Sequence, residues 1–300
     1  ALIVRTAWSR RTVTPTSFDA MDAVFEILDI GSGVGHLNFA SGRSTRSPDT
    51  DYTGHYGFRF VRDAPRIRDI LDDAEWAWIE GEATGDIRHL VLATSLPYLL
   101  PWAIHHLEAW DEAVAGGVWG RLSARLGERL RQALDLEHWA AFDASFRRLG
   151  RLITAVALGE RGAPPASVVI LSGDIHSSYL ARVITGEGRP SSPIYQAVCS
   201  PLRNELSPGL AHVHQVGWSR RAAALARRLA RAAGVRPDLL SWSLEGGPFF
   251  HNSVGTLTLS ATEAWIRIER AGIDASDRPI LDPVFEANLA GAPIADRPPR

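Results

Sequence analysis

The sequence predicts an α/β fold with more than one sheet edge, and three observations predict it. Short apolar runs recur along the chain, helical periods fill the intervals between them, and the last runs form a hairpin. The two clearest runs, His89 to Ser95 and Val168 to Ser172, are nearly continuous in apolar residues, as strands buried on both faces are. Towards the C-terminus the pattern changes. Leu257 and Leu259, then Ile266 and Ile268, alternate with polar residues, as in a half-buried antiparallel hairpin.

Composition sets the outer bounds. Three hundred residues bury a sizeable core in one large domain or two small ones, and 45% hydrophobic with 22% charged residues is the balance of a soluble globular chain. Every basic Lys+Arg position is arginine, which reads as codon usage in a GC-rich genome rather than function. A net charge of -2 argues against non-specific nucleic-acid binding. Cys199 is the single cysteine, so neither an intrachain disulfide nor a thiolate zinc cluster is expected. No apolar run approaches the ~20 residues of a membrane-spanning helix. No signal peptide opens the chain either, which favours the cytoplasm. The first residue is alanine, so a processed chain or a fragment is expected. The oligomeric state is not legible.

In chain order, residues 1 to 60 are rich in Ser, Thr, Gly and Arg, with a polar loop from Ser41 to Thr53. Within them, V-F-E-I-L-D-I-G-S-G-V-G-H-L (Val24 to Leu37) reads as a strand, a glycine turn and a short helix. It matches D-x-G-x-G-x-G over Asp29, Gly31, Gly33 and Gly35, and resembles the first motif of S-adenosylmethionine-dependent methyltransferases. Glycines serving only to pack a strand against a helix explain it equally well. Asp69 to Glu80 has a helical period, with acidic residues near the start where the helix dipole favours them. His89 to Ser95 is a strand ending at Ser95-Leu96-Pro97. Trp102 to Ala113 is a helix carrying His105, His106, Glu108 and Trp110. Adjacent helical positions point about 100° apart, so the His pair is read as structural rather than as a shared metal face. Leu122, Leu126, Leu130 and Leu134 predict an amphipathic helix whose leucines pack on the body. Glu137 to Leu158 continues helically. The Pro164-Pro165 break introduces the strand at Val168, and Leu180 to Val183 and Ile194 to Val198 follow as strands. Trp218 to Ala233 is an Ala/Arg-rich helix whose arginines form a basic stripe or, more simply, a solvated face.

The stretch that organises the site is V-V-I-L-S-G-D-I-H-S-S-Y, Val168 to Tyr179. Ligands in open α/β sheets bind beyond the carboxyl ends of strands. Asp174 and His176, just past such an end, offer an oxygen and a nitrogen to a hard or borderline divalent metal. An Asp-capped turn with a nearby histidine is the alternative.

Six segments occur in a fixed order: L-D-D-A-E-W-A-W-I, L-V-L-A-T-S-L-P-Y-L-L-P, H-H-L-E-A-W-D-E-A, L-E-H-W-A-A-F, V-V-I-L-S-G-D-I-H-S-S-Y and V-C-S-P-L-R-N. Together they resemble the C-terminal half of PhoD-like (alkaline phosphatase D) metallophosphatases of the actinobacterial sort, over about Gly57 to Ala271. The resemblance implies a metallophosphoesterase-like sandwich of two mixed β-sheets flanked by helices, incomplete at the N-terminus. It implies hydrolysis of a small phosphate mono- or diester at a two-metal site, with Ca, Fe, Mn or Zn as the possible ions. By the same resemblance, His176 and Asp174 are catalytic and metal-ligating, and His251 and Asn252, in G-G-P-F-F-H-N, are further metal candidates. Arg203 and Asn204 are candidates for contacting phosphate, with a structural salt bridge as the alternative for Arg203.

The family's upstream half supplies more aspartates and a D-D-H-D-type motif, and nothing in residues 1 to 56 matches it. The chain is therefore read as a divergent or unrelated segment (1–56), a metallophosphatase-like region (57–271) and a loosely ordered tail (272–300). The ranked expectations are a metal-dependent phosphatase or phosphodiesterase truncated in its metal site, then a non-catalytic remnant or binding module, then a methyltransferase.

Overall fold

The computed structural model describes residues 3–6, 23–27, 35–41, 70–71, 73–94, 96–134, 136, 138–184, 191–200 and 214–290. The described strands are β1 (Ile3–Thr6), β2 (Ala23–Ile27), β3 (Gly35–Ser41), β4 (His89–Ala93), β5 (Ser167–Ser172), β6 (Ser178–Ile184), β7 (Ile194–Val198), β8 (Ser241–Phe249), β9 (Ser253–Leu259), β10 (Ala264–Ile273) and β11 (Pro279–Asn288). The described helices are α1 (Asp73–Glu82), α2 (Trp102–Ala115), α3 (Arg121–Leu134), α4 (Asp143–Leu158) and α5 (Arg220–Ala232), with a 3-10 turn at Trp139–Ala141. Among these residues, no helix is long and apolar enough to cross a membrane.

The strands form two sheets. One is six-stranded in the order β1-β4-β5-β7-β6-β8, and the other five-stranded in the order β11-β10-β9-β3-β2. In the first, β1, β4, β5 and β7 run parallel and β6 and β8 antiparallel to their neighbours, so this sheet is mixed as expected. Every pairing in the second is antiparallel.

Successive residues of a strand point to opposite faces, and both faces of β4 and β5 are covered. Leu90, Val168 and Ile170 pack with Trp76, Tyr98, Phe146 and Ile153 from the helical layer and its loops. Val91, Val169 and Leu171 face the second sheet, where they meet Leu257, Leu259 and Ile266. That double burial is why these strands are written as unbroken apolar runs. β9 and β10 are covered on one face, and buried positions alternate with partly or fully exposed ones along β9 and through Ala264, Ile266 and Ile268 of β10. His89, buried at the start of β4, joins the sheets through Ser167 Oγ at 2.8 Å and the Ser260 carbonyl at 2.8 Å. Burial holds its imidazole below the ordinary histidine range.

Three expectations are corrected. The glycine stretch does not run from strand to helix: Gly35 opens β3, which pairs antiparallel with β2. A methyltransferase glycine loop needs a helix there, so that reading loses its structural context. Asp29, Gly31 and Gly33 lie outside the described residues. The segment expected to be loosely ordered carries the end of β10 and all of β11, paired from Trp265↔Asn288 to Ile273↔Pro279. Pro279, Asp282 and Pro283 sit in this edge strand, where prolines are tolerated.

The third correction concerns α3. Leu122 and Leu126 are 73% and 57% exposed and Leu130 is half-buried, so the first half of the leucine stripe faces outward and the body contact there is made by another face. Gly127 explains it. A Cβ there would stand 3.1 Å from the Ala115 nitrogen and 3.1 Å from Val114 Cγ1, so α3 approaches α2 most closely at the one position without a side chain. Gly127→Val is expected to cost about 1–3 kcal/mol through overpacking of that crossing, whereas Leu126→Ser changes stability by no more than about 0.5 kcal/mol. Urea unfolding of both variants checks this. A larger loss in Leu126→Ser than in Gly127→Val would reverse the assignment of faces.

Candidate functional site

The loops that leave β4, β5 and β7 share one end of the mixed sheet, because those strands are parallel and in register. Thr94 N bonds the Leu171 carbonyl at 2.9 Å, and Cys199 N bonds the Ser172 carbonyl at 3.0 Å, so the three strand ends are tied together. Just beyond β5 the backbone does something side chains rarely permit. Asp174 and His176 both adopt left-handed conformations, at φ 57° and φ 53°. Such a conformation costs an L-residue roughly 1–2 kcal/mol. The bend is made by the two ligand-type residues, both half-buried, with Ile175 buried between them.

Three elements bring further ionisable groups to this end. α2 contributes Glu108, which is fully buried. Its Oε1 lies 2.6 Å from His138 Nδ1. An ionised carboxylate only accepts hydrogen bonds, so His138 Nδ1 carries a hydrogen and donates it to Glu108. Trp139, the next residue, donates from Nε1 to Thr94 Oγ1 at 3.2 Å and thereby seats this turn over the end of β4. The turn at residues 214–216 supplies His214. That segment is anchored by Gly217, whose Cβ would lie 2.9 Å from Ile104 Cγ1, and by Trp218, whose ring stands 5.3 Å from that of Tyr179.

Burial, and then the charges of His176 and His138, push the His214 imidazole down to about 4, so it is neutral at pH 7. His214, His176 and His138 thus lie near enough to act on one another electrostatically. His214 Nδ1 is buried without a hydrogen-bond partner, and so is Glu108 Oε2. Buried polar atoms are rarely left in that state.

Of the residues predicted from sequence, Asp174 and His176 occupy the strand end as expected. His251 and Asn252 form the turn between β8 and β9. Phe249 pairs with Ser178, and the Phe250 ring lies 6.1 Å from His214, so this turn is at the same end of the sheet. His251 is exposed there and Asn252 half-buried. Arg203 and Asn204 lie outside the described residues. Cys199, buried at the end of β7, has its thiol pushed up to about 12 by burial and is no nucleophile.

Sequence reasoning did not single out His138, Glu108 and His214 as one group. Glu108 was noticed on its helix, but only the fold brings it to a histidine thirty positions later. The expectation for His105 and His106 needs correction as well. Their donor atoms and those of Asp238 all lie within 4.8 Å of one another, a grouping that suits a metal ion. Adjacent helical positions diverge, but the two rings reach to within 5.4 Å of one another between centroids.

No family model matches the chain. No curated protein matches it. Among solved structures it is similar to one described as "Structure of PhoD", with a TM-score of 0.38 and 10% identity, over 87% of this chain and 41% of that one. This chain therefore spans less than half the length of that structure.

Proposed function

We propose that the chain is a metal-dependent hydrolase of small phosphate esters, with its site at the common end of β4, β5 and β7. One observation carries the reading. Two ligand-type residues, Asp174 and His176, adopt left-handed backbone at the end of a central parallel strand, at the end of the sheet to which the Glu108–His138 pair and a neutral His214 also belong. Strain retained at non-glycine residues clusters at functional sites, and the inference runs from the strain to the function. The ordered segments that resemble PhoD-like phosphatases supply the reaction class.

The donor set fits a divalent cation. It offers a carboxylate and imidazoles of borderline character, and one of the imidazole nitrogens, His214 Nδ1, is buried and unpartnered. Asp174 and His176 are proposed to hold the ion, with His214 and Asn252 as further donors drawn in by side-chain movement, since among the described residues it is the donor atoms of His105, His106 and Asp238 that already lie within 4.8 Å of one another. Bound there, such a cation lowers the pKa of a water and polarises phosphoryl oxygens. Glu108 fixes the His138 ring through Nδ1, so His138 Nε2 is oriented to carry a proton to or from the ester oxygens. Arg203 and Asn204 are proposed to bind the phosphate as it enters.

The test is release of the phenol from an aryl phosphate by the chelated chain, before and after addition of Mn²⁺, Ca²⁺, Fe²⁺ or Zn²⁺. Turnover that appears with metal supports the reading. A folded chain that takes up no metal and releases no phenol is instead a non-catalytic module.

A further inference from the structure

A second cluster lies at the first turns of α2. His105 and His106 are both buried. Asp238, on the segment between α5 and β8, reaches between them. Its Oδ1 is 2.9 Å from His105 Nε2, and its Oδ2 is 4.0 Å from His106 Nδ1. The rings are set by an aromatic wall. Trp102 stacks on Trp242 at 3.7 Å, His106 tilts against Trp102 at 5.3 Å, and His105 stands edge-on to Trp242 at 4.9 Å. The wall is itself fixed, since Trp102 Nε1 donates to the Trp242 carbonyl at 3.1 Å and Trp242 Nε1 to that of Leu100 at 2.9 Å.

A simple ion pair leaves too much over. One carboxylate satisfies His105 through Nε2, yet His105 Nδ1 remains buried without a partner, and His106 stays beyond hydrogen-bond reach of Asp238.

We propose that His105, His106 and Asp238 form a zinc site that clamps α2 to the segment preceding β8, separate from the strand-end site. Zinc takes histidine nitrogen and carboxylate oxygen at about 2.0–2.2 Å in tetrahedral geometry, which places neighbouring donors roughly 3.4 Å apart. Donor atoms already within 4.8 Å of one another reach that spacing by small side-chain rotations. Asp238, with a side chain 19% exposed, gives the site its opening to solvent, and water completes the fourth position. The clamp acts on the helix that carries Glu108, so it also steadies the support of His138.

The proposal does not rest on the phosphatase reading, and its test keeps the two apart. The metal-free full chain is titrated with Zn²⁺ by calorimetry, and with Co²⁺ for its tetrahedral d–d absorption. Wild type, His106→Gln, Asp238→Asn and His176→Ala are compared. His106→Gln and Asp238→Asn are expected to lose one zinc equivalent and the tetrahedral Co²⁺ bands, while His176→Ala retains both. The loss of affinity exceeds the ~10–100-fold that follows removal of an outer-shell partner. His106→Gln keeps a polar side chain of similar reach, and circular dichroism of the metal-free chains verifies folding. If either variant unfolds, His176→Ala decides: tetrahedral Co²⁺ bands at one equivalent, kept in that variant and released by Zn²⁺, support the site. Absence of those bands in wild type, or their survival in folded His106→Gln and Asp238→Asn, overturns it.

Discussion

Gln196→Leu is expected to destabilise the chain by about 3 kcal/mol or more. The glutamine is fully buried in the middle of β7. Its Oε1 accepts from the Tyr98 and Leu99 backbone nitrogens, both at 2.7 Å, and its Nε2 donates to the Leu99 carbonyl at 2.9 Å. Leucine fills similar volume but leaves two buried N–H groups without acceptors, at about 1–3 kcal/mol each. The Leu99 carbonyl keeps only the Tyr179 hydroxyl, at 2.9 Å. Gln196 thus makes three of the hydrogen bonds that hold the loop from β4 to α2, beside those from Tyr179 and Trp242. The check is urea unfolding, with a lower midpoint at an unchanged m-value. A loss below about 1 kcal/mol, within the net worth of one ordinary hydrogen bond, would mean that this loop is fixed by packing alone.

The second large effect is on turnover. His176→Ala is expected to lower metal-dependent hydrolysis by roughly 10²–10⁴-fold, the range that loss of a directly acting site group produces. His214→Ala falls in the same range. His251→Ala loses far less, because that side chain is exposed on the outer side of its turn. Steady-state kinetics with saturating metal, alongside thermal unfolding of each variant, separates lost chemistry from lost folding. Equal, small losses across all three variants would remove the strand end from the reaction.

How much of this was legible in the sequence depends on what each residue's role is local to. β4 and β5 were readable because burial on both faces writes itself as a continuous apolar run. The β9–β10 hairpin was readable because burial on one face writes itself as alternation. β8 was not: Gly246, Gly247 and Pro248 interrupt it, and they speak for a loop by every local criterion. Gly246 is required there by contact, since a Cβ would meet the Phe285 ring at 2.4 Å from the other sheet. The outward turn of the α3 leucines was illegible for a similar reason. A periodic stripe says which residues share a face but not which face is buried, and the small residue Gly127 decided that.

For the site, the same division holds. Asp174 and His176 follow a strand directly, so their place at its end could be read from their neighbours. His138, Glu108 and His214 come from three separate elements, and only the packing of α2 under the mixed sheet brings them to that end. Asp238 is distant in sequence from His105 and His106, and the angle between adjacent helical positions gave no hint of a carboxylate reaching between their rings.

The most direct test of the central claim is pulsed EPR of the chain loaded with one equivalent of Mn²⁺, read for nitrogen couplings from directly bound histidine. The account predicts such couplings in wild type, their loss or marked weakening in His176→Ala, and their persistence in His106→Gln. Couplings absent in wild type, or kept in His176→Ala and lost in His106→Gln, would contradict a metal centre at the end of β5.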